Sequence, residues 1–340
     1  MTQSLIIQKL IDKENLTEEE AFHFFSLVMS GGISEILLSS FLTALKIKGE
    51  TSEEITGFVR AIRNASHKPK HSFNFHILDT CGTGGDGKNS INISTLSALT
   101  LGSMGVCIAK HGNRSVSSLC GSSDFLDEFG YIYNSPHEFI IERIEKQKFT
   151  FLFAPHWHPA MKFAAPVRKE LGFRTVFNIL GPLTNPLNPS HQIVGVYSTD
   201  LIEVYARVLI KLGIKKAILC HSLDGMDEFS IFQPTKFAMI SDNQIEYSEF
   251  DPNSLNLKGL NAKEVFALNR AESIQLSSRI LKGEKTTGML KVALNAGAGL
   301  FLMNRASSIE EGFHLCLNKL LSGEVLQYFQ GIIQDSKREK

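Results

Sequence analysis

Asp79-Thr80-Cys81-Gly82-Thr83-Gly84-Gly85-Asp86 extends the apolar pair Ile77-Leu78 and precedes the helix-forming run Asn92-Ile93-Ser94-Thr95-Leu96. A short apolar strand that enters a glycine-rich loop and leaves as a helix is the opening of an α/β unit. Gly82, Gly84 and Gly85 let backbone amides converge closely on an anion. The helix start at Asn92 to Thr95 adds a positive dipole end and side-chain donors. The loop reads as a phosphate site; the plainer reading is a tight strand-to-helix turn. The spacing fits neither GxxxxGK[ST] nor GxGxxG, so a site here works without those two nucleotide frameworks.

Upstream, apolar residues from Ser4 to about Asn64 recur at three- and four-residue intervals, as in Phe22, Phe25 and Leu27, or Ile55, Phe58 and Ile62. Thr17 with Glu20, and Thr51 with Glu54, have capping-box spacing, and Gly31-Gly32 and Gly49 stand where helices should stop. The first sixty or so residues therefore predict a small helical unit. The polar stretch Ser66 to Phe73 reads as a linker.

Downstream, candidate strands are Ile77–Thr80, Val106–Lys110, Thr150–Ala154, Gln192–Ser198, Ala217–His221 and Phe237–Ser241, mostly separated by helical segments. That alternation predicts an α/β fold with a largely parallel sheet. A helix over Ala160–Leu171, in a stretch rich in Pro, Gly and Arg, interrupts the rhythm and is expected to fold back on the first helices. The expected domains are residues 1–66 with 160–189, and an α/β domain of 74–158 and 190–340. The C-terminal third predicts helices over Thr286–Asn304 and Ser308 to about Gln334.

The 340 residues are 43% hydrophobic and 21% charged, enough to bury a full core. Thirty-five basic residues balance 35 acidic ones, so no whole-molecule field gathers nucleic acid or an acidic membrane. Five scattered cysteines without a CxxC pair argue against a disulfide framework and a zinc site, and suit a reducing cytoplasm. Charges every few residues in the first twenty exclude a signal peptide or membrane span there.

Three further constellations bear on chemistry. Lys110-His111-Gly112-Asn113-Arg114-Ser115-Val116-Ser117-Ser118 follows a strand, where open α/β sheets bind ligands, and its donors could wrap a multiply charged one. The bland reading is a solvated, serine-rich loop. Gly121-Ser122-Ser123-Asp124 starts another helix, whose N-terminal amides could face the same crevice; the plain, compatible reading is a simple cap by Ser122 or Ser123. Asp224-Gly225-Met226-Asp227-Glu228 sets carboxylates on a turn after a strand; beside a pyrophosphate loop, they suit Mg²⁺ better than a merely solvated turn.

In order, Gly82–Asp86, Asn92–Thr95, Lys110–Ser118, Gly121–Asp124, His158-Pro159-Ala160-Met161-Lys162, Pro166–Gly172, Arg174–Pro186 and Asp224–Glu228 closely resemble the anthranilate phosphoribosyltransferase family. Val292–Gly297 is similar to the family's C-terminal helix. The resemblance implies a homodimer whose protomers join a small helical domain by hinges to an α/β domain, with substrates meeting between them. It implies that Gly82, Gly85, Asp86, Ser90, Asn92, Ile93, Ser94, Thr95, Lys110 to Ser118 and Ser122 hold phosphoribosyl pyrophosphate. Gly82, Asn113 and Arg168 would meet anthranilate; Ser94, Asp227 and Glu228 would bind magnesium, two ions per protomer. Asn89-Ser90-Ile91 stands where the family commonly has a Thr-Phe pair, and Ser123 replaces a common alanine.

Displacing pyrophosphate from an anomeric carbon by an aromatic amine requires no protein nucleophile; His111 is a candidate helper, or a residue that shapes its loop by hydrogen bonds. Two other readings are a pyrimidine nucleoside phosphorylase-like enzyme and a non-catalytic nucleic-acid-binding relative of the same fold. The first would not be expected to carry the Pro166–Gly172 motif beside the diphosphate loop. The second should show a basic groove and eroded acidic residues.

Overall fold

The computed structural model describes residues 2–69, 73–114 and 119–338. Helices α1 (Gln3–Ile11), α2 (Glu18–Ser30), α3 (Glu35–Lys48) and α4 (Ser52–Asn64) form the N-terminal helical unit. Their ends are set locally. Thr17 Oγ1 accepts the Glu20 N–H at 3.2 Å while Glu20 accepts the Thr17 N–H at 3.0 Å, and Thr51 and Glu54 repeat this reciprocal cap. Phe24 stacks on Phe41 at 3.9 Å between ring centres, and Phe25 on Phe58 at 4.1 Å, so four phenylalanines form the centre of the bundle.

The remaining helices are α5 (Ile93–Ser103), α6 (Ser122–Phe129), α7 (His137–Glu142), α8 (Ala154–Trp157), α9 (Ala165–Leu171), α10 (Phe177–Leu180), α11 (Asp200–Lys211), α12 (Arg270–Leu281), α13 (Thr287–Leu302), α14 (Ile309–Leu321) and α15 (Glu324–Arg338). The strands are β1 (Leu78–Gly82), β2 (Ile108–Gly112), β3 (Phe149–Phe153), β4 (His191–Gly195), β5 (Lys216–Ser222), β6 (Thr235–Ser241) and β7 (Gln244–Phe250). They form one sheet in the order β3-β2-β1-β4-β5-β6-β7. The first five are parallel, and β6 and β7 close the edge antiparallel. One face packs on α5 and α12 to α15; the other shares its core with α11 and the N-terminal helices. The fold is thus a helical unit plus a larger α/β domain with a mostly parallel mixed sheet.

Three expectations need correction. Strand β7 went unpredicted: its sequence is mostly polar and exposed, and the turn before it uses Asp242 and Asn243, both at positive φ (51° and 63°), which makes a tight hairpin. The helix expected over Ala160–Leu171 is broken into a 3-10 turn, Pro159–Phe163, and α9, because Pro166 lacks an N–H and is accommodated only in a helix's first turn. The last expected helix divides into α14 and α15 at Ser322-Gly323, where Gly323 takes φ 75°.

The segment 159–183 does pack beside the N-terminal helices. Phe177 lies 5.3 Å from Phe25 between ring centres, and Arg63 of α4 donates from Nε to the Leu183 carbonyl at 2.9 Å.

Candidate active site

Strand order reverses between β1 and β4, the topological position where open α/β sheets leave a crevice at their carboxyl ends. A cavity of about 630 Å³ occupies that place, walled by the ends of β1 and β2, the turn after β5, and residues of α4, α9 and α10. It lies where the helical unit meets the sheet.

The glycine loop is folded back on β4. The Thr83 N–H donates to the Gly195 carbonyl at 2.9 Å, Thr83 Oγ1 accepts the Tyr197 N–H at 3.1 Å, and the Arg174 guanidinium donates to the Gly85 carbonyl. Two glycines are required by close approach rather than by backbone freedom. A Cβ on Gly82 would stand 2.3 Å from Asp227 Oδ2, and one on Gly195 only 1.4 Å from the Asp227 carbonyl oxygen. Gly82, Asn92 and Ser94 line the cavity, whereas Gly85, Asp86 and Ser90 lie on loop positions outside its wall. Ile93 and Thr95 are buried in the first turn of α5 and do not line the cavity; Thr95 Oγ1 has no hydrogen-bond partner.

Lys110 enters the cavity floor from β2. Its Nζ donates to the Thr80 carbonyl at 2.6 Å and to Ser94 Oγ at 3.1 Å, which leaves one of its three N–H donors for a ligand. Burial lowers its pKa, and the Asp79 carboxylate opposes that shift. Asp79 is itself fully buried and its pKa is raised by burial, against the pull of Lys110 and of Asn185. Asp79 accepts from the His111 N–H at 3.2 Å and from Asn185 Nδ2 at 2.9 Å; the same amide donates to the Ala109 carbonyl at 2.8 Å. Asp79 and Asn185 thereby fix the strand end that presents Lys110 and His111.

The acidic turn after β5 divides its labour. Asp224 accepts from Ser230 Oγ at 2.6 Å and caps the turn. Asp227 accepts the Gly84 N–H at 2.8 Å, and Glu228 pairs with Lys291 Nζ at 2.8 Å. Asp227, Glu228 and Ser94 border a second pocket of about 70 Å³ behind the main cavity. The Asp227 pKa is pushed up to about 7, first by burial and then by Glu228 and Asp86, with the Gly84 N–H pulling it back. Glu228 is also raised by burial, which Lys291 offsets. Two carboxylates that resist being charged together are the donor set a divalent cation relieves. Among the described residues no three His, Cys, Asp or Glu cluster into a metal site, so the missing ligands would be diphosphate oxygens and water.

The far wall suits an aromatic acid. Arg168 of α9 lines the cavity with its guanidinium 5.0 Å from the centre of the Phe177 ring and forms no salt bridge among the described residues. The surface ion-pair role usual for a helical arginine is therefore not what holds it. Asn113 lines the cavity, with its Oδ1 accepting the Arg114 N–H at 2.7 Å. Gly112 makes room for Ser122 Oγ, which a Cβ would approach to 2.4 Å. Helix α6 starts at Ser122, but Asp124, not Ser122 or Ser123, takes the Gly121 N–H, at 3.0 Å. The Arg114 guanidinium pairs with Asp124 at 3.3 Å and Asp127 at 3.1 Å. Ser115, Val116, Ser117 and Ser118 lie outside the described residues.

His111 and His158 meet edge to face, ring centres 5.1 Å apart, and both line the cavity. Burial, with His158 adding to it, lowers the His111 pKa to about 3; burial lowers that of His158 to about 4. Both are neutral at pH 7. A group so weakly basic is a poor proton acceptor, and His111 Nε2 is buried without a well-formed hydrogen bond. His158, Asn185 and Lys291 received no individual role from the sequence, although the first two stand inside motif segments quoted above.

Two family models match the chain: the helical bundle domain of a glycosyl transferase family over residues 4–66, and its a/b domain over residues 74–326. The anthranilate phosphoribosyltransferase of Acetivibrio thermocellus is 42% identical over 328 residues, 96% of this chain and 95% of that protein. The crystal structure of the anthranilate phosphoribosyltransferase from Thermus thermophilus superposes with a TM-score of 0.90 at 36% identity, covering 98% of this chain and 99% of the other. The Saccharomyces cerevisiae enzyme, solved in complex with PRPP and Mg, has the same fold, with a TM-score of 0.88 at 24% identity over 99% of this chain and 98% of that one. With both halves matched and such similarity over nearly its full length, the chain belongs to the anthranilate phosphoribosyltransferase family.

Proposed function

We propose that the cavity at the β1–β4 switch point is where this chain transfers the phosphoribosyl group of 5-phosphoribosyl 1-pyrophosphate to the amine of anthranilate. The products are N-(5-phosphoribosyl)anthranilate and pyrophosphate, in tryptophan biosynthesis. The observation that carries the site assignment is one cavity with the glycine loop, Lys110 and Asp227 on one side, and on the other Arg168, which forms no salt bridge among the described residues.

In this reading the amides of residues 82–86 and the start of α5, with Lys110 and the 110–118 loop, hold the diphosphate and stabilise the leaving group. Arg168 grips the anthranilate carboxylate, and Asn113 and Gly82 flank the amine. Neutral His111 and His158 shape that wall. Ser94, Asp227 and Glu228 would hold Mg²⁺, two ions per protomer, and the metal supplies charge neutralisation on the departing diphosphate. The domains divide as residues 1–66 with 160–189, and 74–158 with 190–340.

A homodimer and a cytoplasmic location belong to the same proposal. The N-terminal helices leave Leu5, Ile36 and Ile47 at least half exposed, apolar surface a second copy would cover, and all five cysteines are free. No helix among the described residues is long and apolar enough to cross a membrane. Light scattering on the eluted protein tests the dimer. The activity is tested by following anthranilate fluorescence with Mg²⁺ and phosphoribosyl pyrophosphate. The signal should fall and should stop falling when the metal is chelated; a flat trace at high enzyme concentration would reject anthranilate as the amine.

A nucleic-acid-binding reading is disfavoured by the retained Asp227 and Glu228 and the balanced charge. A phosphorylase reading gives no use to Arg168.

A further inference from the structure

We propose that Lys291 is a resident cation of the acidic pocket, one that neutralises Glu228 before a metal arrives and thereby weakens metal binding until diphosphate is present. The proposal rests on the reading of Asp227 and Glu228 as metal ligands.

Lys291 lies in α13 with its side chain fully buried, and its Nζ stands 2.8 Å from Glu228 Oε1. The uncharged Met226 sulfur and Phe266 ring, the latter 5.9 Å away at its centre, also flank it, and Asp227 lies close enough to feel its charge. A buried ammonium paired with a carboxylate depends on that partner. Glu228 Oε1 is buried within ion-pair distance of Lys291 without a well-angled hydrogen bond, and Ser90 also reaches the carboxylate, so Lys291 is its cationic partner in the pocket.

The pair cannot easily separate. Asn295, one helical turn beyond Lys291, accepts the Phe229 N–H at 2.9 Å and donates to the Phe229 carbonyl at 2.9 Å and to the Lys291 carbonyl at 3.0 Å. The acidic turn and the lysine are therefore clamped to the same helix. A divalent ion on Glu228 would sit beside a fixed like charge, and repulsion over a few ångströms in a partly desolvated pocket lowers its affinity. Diphosphate adds negative charge and ligands, and restores the balance. Lys291 so makes metal uptake at Glu228 conditional on the diphosphate substrate, and by linkage the reverse holds.

The test is Mn²⁺ binding to the full chain, read from the resonance of the free ion, with and without pyrophosphate, in the wild type, K291M, K291R and D227N. Without pyrophosphate, K291M should bind Mn²⁺ about tenfold tighter or more than the wild type, and K291R should restore weak binding. With pyrophosphate the difference should shrink. K291M should also melt lower than the wild type in chelator and regain stability with Mn²⁺. Unchanged or weaker Mn²⁺ binding in K291M overturns the proposal. Wild-type binding that D227N leaves intact puts the ion elsewhere, and overturns the underlying metal reading as well. Should K291M fail to fold, the pair is removed at both ends in K291M/E228Q. That variant should fold without metal, and equal instability would overturn mutual compensation.

Discussion

The Gly84 N–H donates to Asp227 Oδ2 at 2.8 Å, joining the glycine loop to a turn 143 residues further along the chain. This contact fixes where loop amides point before any ligand arrives. D227N retains the shape but turns a charged acceptor into a neutral one and, in the proposed reading, removes a metal ligand. It should lower kcat/KM by about ten- to a hundredfold or more, with the steady-state rate at saturating Mg²⁺ as the check. G82A should show a comparable loss, because its methyl group would displace the same carboxylate.

The raised pKa of Asp227 carries a pH prediction. In the fold it keeps its proton up to about 7, whereas the ordinary value is 3.8. Across that interval the folded state binds more protons than the unfolded chain, so the contribution of Asp227 to stability declines as pH rises from about 4 to about 7. In the proposed reading Mg²⁺ binds the charged form and should oppose the decline. The rise in Tm on adding Mg²⁺ should therefore be larger at pH 8 than at pH 5, and D227N should flatten that difference. A Mg²⁺ effect that is the same at both pH values in the wild type would contradict the prediction.

In the proposed reading Arg168 separates the two substrates. R168A and R168K should each raise the KM for anthranilate, by about ten- to a hundredfold for the alanine, because a planar two-pronged donor matches a carboxylate and an ammonium does not. The KM for phosphoribosyl pyrophosphate should change little. Equal changes in both constants would mean that Arg168 positions α9 through Phe177 rather than contacting the acceptor.

Local signals were legible, and long-range ones were not. The Thr17 and Thr51 caps, the helix starting after Asn92 and the parallel strands are encoded within a few residues of themselves, and each forms at or near its expected place. Strand β7 escaped because Gln244-Ile245-Glu246-Tyr247-Ser248-Glu249-Phe250 is mostly exposed and polar, and only the Asp242-Asn243 pair marked the hairpin. The break at Pro166 was visible as a proline inside an expected helix. The glycine loop stood out by its glycine chemistry, and the role proposed for Arg168 came only from resemblance to a family. Lys291 was unreadable by either route: it is one cation in an apolar helix, and its meaning comes from Glu228, which the fold alone brings to 2.8 Å.

The Asp79–Asn185 pair gives a last prediction, on a residue that touches no substrate in the proposed reading. Asn185 is fully buried and ties Asp79 to the Ala109 carbonyl, and Asp79 in turn holds the His111 N–H and lies near Lys110. N185A leaves a buried carboxylate one donor short and should destabilise the fold by about 1–3 kcal/mol, read by denaturant unfolding. N185D removes the donor and sets a second acid against Asp79. Each acid then raises the other's pKa, so the pair keeps a proton in the fold that the unfolded chain has released. Stability should fall as pH rises from 5 to 8, more steeply for N185D than for N185A. If both variants lose the same stability at every pH, Asn185 acts by packing alone and Asp79 is not the charged hub of the strand end.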